Sequence, residues 1–92
     1  MSSWTVELTG EATEDIAALD AATRRRVLAK IAWFAEHVDD VTPVPLEGEW
    51  REFCKLRVGD WRIAYTFSQS KRTVTVHTVG RRDKIYKQRP PH

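Results

Sequence analysis

The chain of 92 residues has one cysteine, one methionine, four glycines and four prolines. A single cysteine, Cys54, cannot close an internal disulfide, and no cysteine–histidine spacing suits a metal. The expectation is therefore a fold without disulfide, metal or cofactor. No apolar run approaches the roughly 18 residues that would suggest a membrane span. Met1-Ser2-Ser3-Trp4 lacks the basic start and apolar stretch of a secretory signal, so the sequence reads as cytoplasmic. What is present is ordinary for a globular protein: 41% hydrophobic and 30% charged residues. That composition argues against disorder and bounds the chain to one modest core, a single domain over 1–92. Its ordered part is expected at about 4–87, with 88–92 as a tail.

The net charge of +2 hides a division. Residues 1–49 hold four Lys or Arg against ten acids, a net of −6, and residues 50–92 hold eleven against three, a net of +8. Such asymmetry points to an anionic partner for the second half.

Trp4-Thr5-Val6-Glu7-Leu8 alternates apolar and polar residues as a half-buried strand does. Thr9-Gly10 can open a short helix through Ile16 and Leu19, with Glu11, Glu14 and Asp15 near its positive end. Asp20 is a good N-cap for a second helix, which sets Val27, Leu28, Ile31, Phe34, Ala35 and Val38 on an apolar stripe. Asp39-Asp40 and Pro43-Val44-Pro45 end that helix. Three strands are then expected, over 50–58, 61–67 and 73–79, with Gly80 breaking the last. The sum is an α+β domain: an N-terminal strand, a two-helix hairpin and a three-stranded antiparallel meander, the helices packed on one face.

Gly59-Asp60 joins the first two of these strands as a two-residue turn, and that fixes their register. Val58 must face Trp61, Arg57 faces Arg62, Leu56 faces Ile63, Lys55 faces Ala64 and Cys54 faces Tyr65. One face then carries Cys54, Leu56, Val58, Trp61, Ile63, Tyr65 and Phe67 toward the core. The other carries Phe53, Lys55, Arg57, Arg62 and Ala64, joined by His77 and Val79 if Val74 and Val76 point inward. Arginines opposed across two strands destabilise a sheet by roughly 0.2–1 kcal/mol, and no fold requires them. With Lys55 and His77 alongside, and Arg81, Arg82, Lys84 and Tyr86 in the next segment, they read as a phosphate-binding concavity. On the second helix Trp33 lies off the core stripe, beside Ala22, Ala29 and Arg26. Trp33 and Arg26 are the candidates for a protein-docking surface.

Phe53-Cys54-Lys55-Leu56-Arg57-Val58-Gly59-Asp60-Trp61-Arg62-Ile63-Ala64-Tyr65, then Val79-Gly80-Arg81-Arg82 and Tyr86, resembles the RelE/ParE toxin superfamily, and the likeness spans about residues 4–87. Resemblance to its RelE branch implies a toxin of a type II toxin–antitoxin pair that cuts mRNA in the ribosomal A site without metal. It implies catalytic positions at Lys55, Arg62, Arg82 and Tyr86. RNA contacts would come from Arg57, Arg81, His77, Lys84 and Phe53, the last stacking on a base where relatives often carry a second lysine. The implied partners are a cognate antitoxin, the ribosome and mRNA. The ParE branch implies instead a non-nuclease toxin that inhibits DNA gyrase by binding.

Overall fold

A computed structural model describes residues 4–82, 84, 85 and 90. Its elements run β1 (Thr5–Leu8), α1 (Gly10–Ala17), α2 (Ala21–His37), β2 (Cys54–Val58), β3 (Trp61–Ser68) and β4 (Thr73–Arg81). The sheet order is β1-β4-β3-β2. β2, β3 and β4 form the expected antiparallel meander, and β1 adds a parallel edge to β4, so the sheet is mixed.

Local chemistry sets the helices. Thr9 caps α1, its hydroxyl accepting from the Ala12 amide at 3.1 Å, and Asp20 caps α2 by accepting from the Thr23 amide at 3.3 Å. Hydrogen bonding from the Thr23 side chain, and then from its amide, lowers the pKa of the Asp20 carboxyl from its ordinary value. The guanidinium of Arg24 donates to the carbonyls of Ile16, Ala17 and Leu19, satisfying groups that the end of α1 leaves open. Val27, Ile31 and Phe34 of α2 pack with Ile16, Leu56, Ile63, Tyr65, Val74, Val76 and Val79 into the main core. Leu28, expected in this stripe, is 42% exposed. It lies about 100° around the helix from Val27, beyond the edge of the buried face. Phe67 is also 42% exposed; it keeps the core-side orientation but lines a shallow cavity at the margin with Trp4, Phe34 and Tyr65.

Two boundaries and one register differ from the sequence expectation. β2 starts at Cys54 because Gly48–Trp50 forms a 3-10 turn, Gly48 taking φ +64. The segment before it folds along the outer edge of β2: the Leu46 amide donates to the Phe53 carbonyl and the Lys55 amide to the Val44 carbonyl, both at 2.9 Å. Gly80 does not break β4, which continues through Arg81. A Cβ at Gly80 would stand 3.3 Å from Cβ of Ile85, so glycine lets the following segment fold back across the sheet. Finally, a bulge shifts the β3–β4 register: Tyr65 faces Val76 but Ala64 faces Thr78, leaving His77 as the extra residue. Val79 is thereby turned into the main core rather than onto the basic face.

The basic face itself is partly covered. Leu46, Trp50, Phe53, Ala64 and Ile85 make a second small core on the side away from the helices.

Candidate nucleic-acid interface

The β2–β3 turn organises the cations. The register is the one the two-residue turn dictates, with Arg57 opposite Arg62 and Lys55 opposite Ala64. Gly59 supplies the required positive φ, +57. Arg62 donates from Nη1 to the carbonyls of Gly59 at 3.0 Å and Trp61 at 3.1 Å. The Arg82 amide donates to the Asp60 carbonyl at 2.9 Å, extending the ladder to the turn. Arg26 reaches over from α2, and a Cβ on Gly59 would stand only 2.6 Å from its Nη2. Arg57, Arg62 and the Arg82 backbone thus adjoin one turn, which Arg26 approaches from α2.

Few acids balance them. An ion pair joins Arg72 to Asp39 at 3.0 Å, at the opposite end of the sheet. Arg72 also lies over the Trp4 ring, 5.2 Å from its centroid, and the Trp4 indole donates to Asp39. One of the eleven cations is thus committed to closing the fold. The guanidiniums of Arg57 and Arg62 and the ammonium of Lys55 meet no carboxylate among the described residues.

The remaining candidates divide. Arg81 pairs with Trp61, and its guanidinium lies 5.8 Å from that ring's centroid. The bulge at His77 sets this register, so Arg81 is on the core-side face, away from Arg57 and Lys55. Phe53 is 6% exposed, its ring tilted against Trp50 and edge-on to His77. A ring so enclosed has no face for a base; the expected stacking role is corrected to a packing role. His77 contacts Phe53 and bonds the Thr66 hydroxyl through Nε2 at 2.9 Å. Burial pushes its pKa down, only partly opposed by Glu11, so the neutral ring is favoured. Lys84 is exposed, while Tyr86 lies outside the described residues.

Lys55 sits at mid-strand and half-buried, in the wall of a cavity of about 630 Å³ that Val44, Pro45, Leu46, Glu47, Gly48, Glu49 and Trp50 complete. No sequence pattern marks this cavity, because its lining comes from an irregular segment, a 3-10 turn and a strand. Trp33 is 39% exposed, stacked on His37 at 4.5 Å with the Lys30 ammonium 4.1 Å from its ring centroid. Arg26, the other docking candidate, is directed to the Gly59 turn.

Comparison with solved structures gives the fold. The toxin–antitoxin complex RelBE2 from Mycobacterium tuberculosis matches with TM-score 0.71 and 23% identity over 86% of this chain and 98% of that one. The isolated RelE toxin of E. coli matches with TM-score 0.70 and 19% identity, covering 92% and 93%. The RelE–RelB complex from Pyrococcus horikoshii gives TM-score 0.68 and 18% identity, covering 89% and 97%. At these identities the likeness establishes a RelE-like fold. The family follows from the sequence: residues 6–86 match the model for the ParE toxin of type II toxin–antitoxin systems, and the chain belongs to that family, within the RelE/ParE superfamily. A search of curated proteins returned no match.

Proposed function

We propose that this toxin-family protein is a metal-independent endoribonuclease that cuts mRNA in the ribosomal A site. The observation that carries the reading is the opposition of Arg57 and Arg62 beside Lys55, with no carboxylate neutralising them among the described residues. Like charges so placed cost stability, and a polyanion recovers it. In the proposed reaction the 2′-oxygen bonds to the adjacent phosphorus and the bond to the 5′-oxygen breaks. The products are a 2′,3′-cyclic phosphate and a 5′-hydroxyl. Tyr86 takes the 2′-hydroxyl proton or orients the nucleotide, and Lys55 delivers a proton to the leaving oxygen. Arg62 and Arg82 stabilise the extra negative charge of the transition state. Arg62 spends only Nη1 on backbone carbonyls, which keeps its Nε and Nη2 donors for phosphate.

The RelBE2 and RelE–RelB structures are complexes with antitoxins. They support a cognate antitoxin as partner here, with Trp33 and Arg26 as candidate contacts. No helix among the described residues is long and apolar enough to cross a membrane, and the proposed substrate places the protein in the cytoplasm.

A second reading is gyrase inhibition by binding. It is favoured by the match to the ParE family and by the burial of Phe53, where a second lysine would serve the chemistry. Mapping mRNA 5′ ends from a translating extract given the protein separates the two. Codon-phased new ends support cleavage, and intact mRNA with gyrase-dependent DNA breaks supports the alternative.

A further inference from the structure

The cavity beside Lys55 has a composition that neither a phosphate site nor a simple packing gap explains. Val44, Pro45, Leu46 and the buried Trp50 make part of its lining apolar, while the exposed residues Glu47 and Glu49 bring acid groups to it. Lys55 is at once a member of this wall and of the arginine-rich sheet face. Two glutamates beside a surface proposed to hold RNA repel its backbone. A ligand seated against them has to offer hydrogen-bond donors instead.

A nucleobase supplies such donors. Guanine presents two adjacent N–H groups on its Watson–Crick edge, which match the two oxygens of one carboxylate, and its O6 and N7 are acceptors suited to an ammonium. No other RNA base offers a paired donor edge together with that acceptor pair. The volume, about 630 Å³, is in the range of small-ligand sites, roughly 300–1,000 Å³.

Glu47 is the better placed of the two acids. The Leu46 amide before it is tied to Phe53 at 2.9 Å, and its own carbonyl accepts from the Trp50 amide at 3.2 Å. Its backbone is therefore held on both sides, through Leu46 to the segment just ahead of β2 and through its own carbonyl into the Gly48–Trp50 turn, as a group that discriminates bases must be.

We propose that this cavity is a nucleobase subsite that prefers guanine, with Glu47 reading the N1 and N2 donors and Lys55 lying at its junction with the sugar–phosphate path. It rests on the ribonuclease reading for its place in a reaction, but base binding can be measured without cleavage. The probes are 5′-GMP and 5′-UMP, titrated into isotope-labelled protein while the amide resonances of Gly48 and Lys55 are followed. The expected result is saturable shifts at both, with 5′-GMP bound at least fivefold tighter than 5′-UMP. Glu47→Gln should bring the two within twofold while the rest of the spectrum stays that of the folded protein.

Equal binding of the two nucleotides, no shift at these amides, or a preference that survives Glu47→Gln overturns the assignment. If 5′-GMP binds as described but mRNA remains uncut, the subsite stands and the ribonuclease reading falls. If mRNA is cut with no guanine dependence and 5′-GMP does not bind, the reverse holds.

Discussion

Arg57 stands directly across the β2–β3 ladder from Arg62, and neither guanidinium meets a carboxylate among the described residues. The pair is a cost that the fold carries for its surface. Arg57→Thr should therefore leave stability unchanged or raise it by about 0.2–1 kcal/mol, read from chemical denaturation. The same substitution should weaken RNA binding and lower the steepness of its salt dependence by about one counterion. A loss of stability with unchanged binding would show that Arg57 serves the sheet.

Gly59 answers two constraints, a φ of +57 and the approach of Arg26. Gly59→Ala should cost roughly 1–2 kcal/mol from the left-handed backbone alone, with a further loss from displacing Arg26. In an Arg26→Ala background that further loss should vanish, so the double variant should be more stable than additive effects allow. Additive denaturation midpoints would show that the two residues are independent.

Phe53 occupies the position where a second lysine would complete a more basic site, yet it is part of the second core with Trp50, Ala64 and Ile85. Phe53→Lys should not create a stronger enzyme. It should destabilise the fold by about 3 kcal/mol or more, because an aromatic ring is lost and an ammonium is drawn into an apolar site. A stable variant with raised cleavage would contradict the packing role.

The depressed pKa of His77 carries a pH dependence with a definite sign. The unfolded chain binds this proton at about 6.5, whereas the folded protein binds it only at lower pH. The stability due to the neutral ring is complete above that value and is lost as pH falls toward the folded pKa. His77→Gln should therefore show a smaller fall in stability between about pH 7 and pH 5. Identical pH profiles would remove His77 from the account.

The hairpin was legible because a two-residue turn admits one register, and every pair from Cys54–Tyr65 to Val58–Trp61 is as expected. The caps at Thr9 and Asp20 were legible for the same reason: the chemistry is local. The bulge at His77 was not, since nothing in Val76-His77-Thr78 distinguishes an inserted residue from a paired one. Its consequences, Val79 turned inward and Arg81 carried to the Trp61 side, were lost with it. The second core was also hidden. Leu46, Trp50, Phe53 and Ile85 are scattered along a loop, a turn and the segment after β4, so no periodicity joins them. Arg26 looked like part of a helix surface, and only tertiary structure brings it to Gly59.

The central claim is cleavage by the cationic face, and the most direct measurement maps mRNA 5′ ends in translating extracts. It compares the wild type with separate Arg82→Ala and Tyr86→Phe variants. The account predicts codon-phased cuts from the wild type, reduced on the order of a hundredfold or more in each variant if the residues act as electrostatic stabiliser and general base. Unbroken mRNA with gyrase-dependent DNA breaks, or cuts that both variants make at the wild-type rate, would contradict it.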